Sequence, residues 1–257
     1  MATIFCFTST GNSLYAARKI AEKIGGTVLP MNVKPADCND EAIGFVFPVY
    51  FWGLPRMVER FIARMRISNK NAYVFAVATY GGFVYGALKQ VKALLAAKGV
   101  QLRYGANLKM VENYIPMYKA NDSEAFRQTI DRDISAIADA IQSRASKGTH
   151  AFAFISNISH RFYPNDRSDE RFAIAPECTG CAICQQVCPP RNITMEGGRP
   201  AFHHICEHCL ACLHHCPARA IDWNGKVKDK ERFRNAAVSL DELIAFWEAP
   251  FNKRDLT

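Results

Sequence analysis

Eight of the chain's ten cysteines stand in two runs of one spacing. The first is Cys178-x2-Cys181-x2-Cys184-x3-Cys188-Pro189 and the second is Cys206-x2-Cys209-x2-Cys212-x3-Cys216-Pro217. Thiolates are soft ligands, and four of them so close in sequence, with a proline after the last, suit a 4Fe–4S cluster. A shift of 28 residues carries Cys178 onto Cys206, Ile193 onto Ile221 and Met195 onto Trp223, so flanking apolar positions repeat with the sulfurs. Repetition of that kind marks a duplicated structural unit. Structural zinc usually takes two separated pairs of ligands and fits less well. A disulfide framework needs an oxidising compartment. Residues 2–7 are apolar without a basic flank or a cleavage signature, so they read as a strand, and the expected setting is reducing and cytoplasmic. Two clusters imply single-electron chemistry. Five of the seven histidines (His203, His204, His208, His214, His215) lie in or beside the second run. They are read as water-facing side chains of short loops, the alternative being that their charge tunes the adjacent cluster.

A second constellation lies in the first half. The loop Thr8-Ser9-Thr10-Gly11-Asn12-Ser13 joins an apolar, β-rich run to a helical stripe of Leu14, Ala17, Ala21 and Ile24. Small hydroxyls and free amides at a helix start suit a phosphate monoester, although such a loop can also be a plain N-cap. Further strands are expected at 27–31, 42–47, 73–79 and 100–111, with helices at about 58–65, 84–98 and 124–146. Strands apolar on both faces and separated by amphipathic helices imply a parallel sheet between helical layers. Ligands of such sheets sit at the carboxyl ends of the strands. Pro48-Val49-Tyr50-Phe51-Trp52-Gly53 follows the third strand, and Thr79-Tyr80-Gly81-Gly82, then Tyr85, follows the fourth. Aromatics there can stack on a flat heterocycle while glycines let the backbone approach it.

Apolar residues make up 49%, as in an ordinary globular protein, and no apolar run is long enough to span a membrane. The formal charge is +8, without a dense Lys/Arg tract. Two clusters at about −2 each and a bound phosphate monoester at about −2 would bring it to about +2, which disfavours a nucleic-acid role. Cys6 reads as a small buried residue, and Cys38 has no evident partner. In the tail, Ser239 and Glu242 form a capping box ahead of Leu240, Leu243, Ile244 and Trp247, a helix whose apolar face is expected to pack back on the chain, with a homodimer as the alternative.

Residues 1 to about 145 resemble the flavodoxin family through the loop at 8–13, and the cysteine runs resemble those of bacterial two-cluster ferredoxins. Nearly the whole chain is similar to bacterial and archaeal flavodoxin–ferredoxin fusion proteins, including Pro48-x-Tyr50-x-x-Gly53-x-Pro55 and Thr79-Tyr80-Gly81-Gly82. The resemblance implies an α/β fold: a flavodoxin-like, doubly wound, five-stranded parallel sheet (1–148), a linker (149–175), a smaller α+β two-cluster ferredoxin-like domain (176–225) and a tail (226–257) with its helix at 239–248. It implies that FMN phosphate is held by Thr8, Ser9, Thr10, Gly11, Asn12 and Ser13. Its ring would lie between the 48–54 and 79–85 loops, with stacking partners among Tyr50, Trp52, Tyr80 and Tyr85. One 4Fe–4S cluster would take Cys178, Cys181, Cys184 and Cys216, the other Cys206, Cys209, Cys212 and Cys188, the fourth cysteine of each run crossing to the other cluster. Flavodoxins commonly crowd acids near the flavin. The 48–55 and 79–86 loops hold none, and Arg56 follows the first, so a less depressed second one-electron couple is expected.

The expected function is electron transfer between the two clusters and an FMN, and onward to protein redox partners of an anaerobe. The alternatives are a ferredoxin-dependent flavin reductase acting on a small acceptor and, less favoured, a redox sensor. No Gly-x-Gly-x-x-Gly motif points to direct NAD(P)H oxidation. No nucleic acid or membrane partner is expected.

Overall fold

The computed structural model describes residues 1–32, 37–120, 122–147 and 163–249. The first half contains strands β1 (Ala2–Cys6), β2 (Gly26–Pro30), β3 (Asp37–Cys38), β4 (Ala42–Pro48), β5 (Arg66–Ile67), β6 (Tyr73–Tyr80) and β7 (Leu102–Lys109). Five of them form one parallel sheet in the order β2-β1-β4-β6-β7, and β3 pairs with β5 at its side. Taken in chain order within the sheet this is 2-1-3-4-5, the doubly wound flavodoxin-like arrangement. All of β1 is buried, as are the central residues of β4 and β6, because helices cover both faces. Helix α1 (Asn12–Ile24) packs with α4 (Glu124–Gln142), and α2 (Arg56–Arg64) packs with α3 (Ala87–Ala96).

Two helices are shorter than their apolar periodicity suggests. α3 begins at Ala87, because the Gly86 amide is taken by the Trp52 carbonyl at 3.1 Å and residues 83–86 stay in the cleft loop. α4 ends at Gln142, after which Lys147 N donates to Arg103 O beside β7.

The cysteine-rich part is an α+β unit with internal two-fold character. It contains β8 (Phe172–Ile174), β9 (Ile193–Glu196), β10 (Arg199–Phe202) and β11 (Ile221–Trp223), with short helices Ile183–Gln186 and Ala211–His215. β9 and β10 form the hairpin that turns at Gly197-Gly198, and β8 pairs antiparallel with β11. The pair Ile221↔Ile174 repeats Phe202↔Ile193 at the 28-residue shift. Left-handed backbone repeats likewise, at Gly180 and His208, Ala182 and Leu210, Arg191 and Arg219. β8 falls inside the segment expected to be a linker. Of that segment residues 149–162 lie outside the described residues, and the remainder is a 3-10 turn (Asp166–Arg171) followed by a strand tied to β11.

The last helix, Leu240–Glu248, has the expected capping box: Ser239 Oγ accepts from Glu242 N at 3.2 Å and Glu242 Oε2 from Ser239 N at 2.8 Å. Its apolar face packs back against β2 and the helix Ile183–Gln186, burying Trp247 edge-on to Phe7 at 5.9 Å. Residues 250–257 of the tail lie outside the described residues. Among the described residues no helix is long and apolar enough to cross a membrane.

Candidate functional site

A cleft of about 300 Å³ opens at the carboxyl edge of the sheet. That is the size of a small-ligand site and the position where doubly wound sheets bind. Its walls come from the loops after β1, β4, β6 and β7, and from His208, Cys209 and Leu210 of the second cysteine run. Of the residues expected around a cofactor, Thr8, Ser9, Thr10, Asn12, Ser13, Pro48, Val49, Tyr50, Phe51, Trp52, Thr79, Tyr80, Gly81 and Gly82 line it. Three lie behind the wall. Gly53 closes a turn with Tyr50, Tyr85 packs edge-on to Trp52 at 6.1 Å, and Gly11 faces the tail.

One end of the cleft is polar and built on the start of α1. The helix has no acidic residue in its first turn and no side chain capping its amides, so its positive end is open to an anion. The hydroxyls around it are partly used within the protein. Thr8 Oγ1 accepts from Gly11 N at 3.2 Å, Ser13 Oγ and Thr79 Oγ1 share a bond of 2.8 Å, and Thr10 Oγ1 accepts from Asn113 Nδ2 at 2.7 Å. Asn12 spans the site, its Nδ2 donating to Val111 O at 3.0 Å while its Oδ1 accepts from Asn235 Nδ2 at 3.0 Å. Gly11 has φ +96°, and a Cβ there would stand 3.0 Å from the Cβ atoms of Asn235 and Val238. The tail therefore supports this loop from below, with Asn235 N also donating to Thr10 O at 2.8 Å.

The other end is aromatic. Tyr50 and Gly53 exchange backbone hydrogen bonds of 3.0 and 2.9 Å around Phe51 and Trp52, whose φ values of 45° and 67° make this a turn of left-handed residues. Two bulky side chains held there store strain of about 1–3 kcal/mol each, which is typical of a binding loop. Trp52→Gly is accordingly expected to raise thermal stability by about 1 kcal/mol while weakening ligand binding, as thermal melts and a binding titration would show. Gly81 packs against the β7 loop so closely that a Cβ would meet Glu112 Cα at 2.6 Å. Gly81→Ala must push that loop outward, and a loss of at least about tenfold in affinity for FMN, the ligand expected from the sequence, is expected in a fluorescence titration, against no change if the loop were idle.

Glu112 corrects the acid-free reading of this region. The two loops considered from sequence hold no carboxylate, but the β7 loop brings one to the cleft wall, where Glu112 Oε1 accepts the amides of Asn113 (3.0 Å) and Tyr114 (2.8 Å). Arg56 is also placed differently. It lies over the Tyr163 ring at 4.3 Å, pairs with Asp166 at 2.9 Å and donates from Nη2 to Cys206 O at 2.8 Å. Beside it, Arg60 pairs with Glu207, whose side chain is fully buried and also accepts from the Tyr163 hydroxyl at 3.1 Å. Burial raises the Glu207 carboxyl above its usual value while Arg60 and Arg56 pull it down. Arg56 and Arg60 thus clamp the second cysteine run to the start of α2.

The eight cysteines fall into two groups. Cys178, Cys181, Cys184 and Cys216 surround a small cavity of about 20 Å³. Cys184 is raised to about 11 by burial and by the charges of Cys181, Cys216 and Cys178. Cys212 is raised by burial and then by Cys209, Cys188 and Cys206, and least by Cys184 of the first group, so its principal thiol neighbours are the other three of the second set. Cys216 therefore stands with the first run and Cys188 with the second. Backbone amides donate to sulfur at 3.3 Å from Asn192 to Cys188, from Ala220 to Cys216 and from His208 to Cys206. Among the described residues no three His, Cys, Asp or Glu side chains converge on a single ion. A cubane asks for a different arrangement, with each thiolate on its own iron. Apart from these, Cys6 is buried in β1, and Cys38 donates from Sγ to Asp40 Oδ2 at 3.4 Å.

Three of the five clustered histidines overturn the expectation that they face water. His208, His214 and His215 are only 3%, 2% and 4% exposed. Each reaches a cleft loop: His208 Nε2 meets the Tyr114 hydroxyl at 3.2 Å, His214 Nε2 donates to Asn113 O at 2.8 Å, and His215 Nε2 donates to Ser9 O at 3.2 Å. Phe233 N donates to His214 Nδ1 at 3.1 Å, which fixes that ring as the neutral Nε2–H tautomer. Burial lowers all three, His208 to about 4, His214 to about 3 and His215 to about 4. They are the struts between the cysteine-rich unit and the cleft.

No protein-family model and no curated protein sequence matches the chain. Among solved structures it is similar to a flavoprotein of Bacteroides uniformis ATCC 8492 (18% identity, TM-score 0.36, covering 52% of this chain and 97% of that one). It is also similar to a flavodoxin of Streptococcus pneumonia TIGR4 (14%, 0.37, 54% and 97%) and to the two-electron reduced flavodoxin of Megasphaera elsdenii (16%, 0.33, 42% and 85%). These similarities span about half of the chain.

Proposed function

We propose that the protein is an electron carrier that passes electrons between two 4Fe–4S clusters and one FMN, and onward to protein partners. The observation that carries this reading is the position of Cys209: it belongs to the second group of four thiols and is also part of the cleft wall. The fit of the flavin rests on the uncapped α1 terminus at the polar end of the cleft and on the aromatic loops at the other. The fit of the clusters rests on two sets of four thiols, with backbone N–H groups donating to Cys188 and Cys206 in one set and to Cys216 in the other. Bound there, FMN would supply a carrier of one or two electrons and the clusters one-electron relays. Ser9, Thr10, Asn12 and Ser13 would hold the phosphate, the strained 50–53 turn and the Gly81 loop would hold the ring, and His208 with Leu210 would keep water from the side nearest the sulfurs. The second group is the inner one. The first, with Cys181 exposed, is the outer one.

A second reading is favoured by the mouth of the cleft. Phe83 and Met117 are 62% and 69% exposed there, beside Trp52 and Tyr118, and such an apolar rim suits a small hydrophobic acceptor. Anaerobic reconstitution with FMN, iron and sulfide, followed by mixing with a reduced one-electron donor protein, separates the two. Flavin bleaching in stoichiometric amounts, without consumption of added small acceptors, supports the carrier. Sustained turnover of such an acceptor supports the reductase, and no bleaching at all would refute both.

A further inference from the structure

Arg232 lies in the segment between β11 and the last helix. Its Nη2 donates to Ile221 O at 3.1 Å, but Nε and Nη1 are shut off from solvent and have no hydrogen-bond partner. The charged groups acting on it are Arg219, Cys216, Asp222 and Cys212. Arg219 follows Cys216, the second run's cysteine that stands with the first group, and is held in left-handed backbone at φ 50°, its amide donating to Cys216 O at 3.2 Å. Asp222, the one carboxylate of the set, has Oδ1 engaged by Val227 N at 2.8 Å.

Two guanidinium groups near each other, one with N–H groups buried and unpaired, are costly unless an anion faces them. The carbonyl that Arg232 binds belongs to Ile221, which lines the small cavity together with Cys178, Cys181, Cys184 and Cys216, and Cys216 of that group and Cys212 of the other are the sulfurs that act on it. We propose that Arg232 is a positioning residue for negative charge on the sulfurs of the outer group, Cys178, Cys181, Cys184 and Cys216, and thereby raises the reduction potential of the cluster they hold. This rests on the reading that the thiols carry iron–sulfur clusters. Adding an electron makes such a cluster more negative, so a fixed cation beside it favours the reduced form.

The test uses the full chain, reconstituted anaerobically, as wild type, Arg232→Gln and Arg232→Lys. Iron per chain is measured, and the midpoint of each cluster is followed by potentiometric titration with EPR detection, the outer cluster being identified by its absence in Cys181→Ser. Arg232→Gln is expected to shift the outer midpoint downward and the inner one less, and Arg232→Lys to stay near wild type. Unchanged potentials in Arg232→Gln, or an equal shift in Arg232→Lys, would overturn the proposal. If Arg232→Gln loses iron, retention of iron by Arg232→Lys supports a role for the charge, and loss in both refutes it. A wild-type chain that takes up no iron would instead overturn the cluster reading itself, before any variant is compared.

Discussion

Cys209→Ser is expected to remove about four of about eight irons per chain and, in the same protein, to weaken FMN binding by at least about tenfold. Cys181→Ser is expected to remove about four irons and leave FMN affinity within about twofold of wild type. The contrast follows from position. Cys209 is the sulfur that faces the cleft, and its neighbours His208 and Leu210 complete the wall, both in left-handed backbone. A loop of such conformation is held by what it surrounds and by the Arg56, Arg60 and Glu207 clamp. Without the cluster proposed there the wall would loosen. Cys181 is exposed, in the group away from the cleft, and no residue of its loop lines the cleft. Iron analysis and a flavin fluorescence titration on both variants check this. Equal FMN affinities in the two would mean that the inner cysteine group and the cleft are independent.

Trp247→Ala is expected to cost about 3–5 kcal/mol, the usual loss for a fully buried tryptophan. For a chain of this size that lowers Tm by roughly 10 °C. The side chain packs on Phe7 at the end of β1, and its carbonyl accepts from Asn32 Nδ2 at 2.9 Å and Arg191 Nη2 at 2.8 Å. One residue thus fastens the last helix to the sheet and to the cysteine-rich unit. The segment ahead of that helix carries Asn235 and Val238, which support the loop 8–13. FMN affinity should therefore fall with stability in Trp247→Ala, whereas an exposed helix substitution such as Asp241→Ala should leave it unchanged. Thermal melts with and without FMN measure both effects. A normal affinity in a destabilised Trp247→Ala would show that the tail stabilises the fold without shaping the site.

What the sequence carries plainly is whatever depends on local periodicity or fixed spacing. The parallel strands are apolar on both faces, the capping box at Ser239 and Glu242 is local, and the cysteine runs repeat at one shift. The sheet loops at 8–13, 48–53 and 79–82 also follow from where strands end. Partners that reach the cleft from elsewhere leave no such mark. Glu112, Asn113 and Tyr114 follow β7, a strand whose exposed and buried residues alternate near the sheet edge, and nothing in their types singles them out. Asn235 acts through backbone and amide bonds to residues more than two hundred positions away. The histidines misled because short polar loops usually face water, while here the second cysteine run is pressed onto the cleft and burial overrides polarity. β8 was hidden because three residues carry too little periodicity to show a strand.

The central claim is that two iron–sulfur clusters and one flavin are carried by the same chain with the inner thiols in the flavin's wall. It is tested most directly by counting cofactors and electrons on protein purified and matured without oxygen. The account predicts about eight irons and one FMN per chain, and about four electrons taken up in a reductive titration, two by the flavin and one by each cluster. Zinc in place of iron, or an uptake of only two electrons by a chain holding flavin alone, would contradict it.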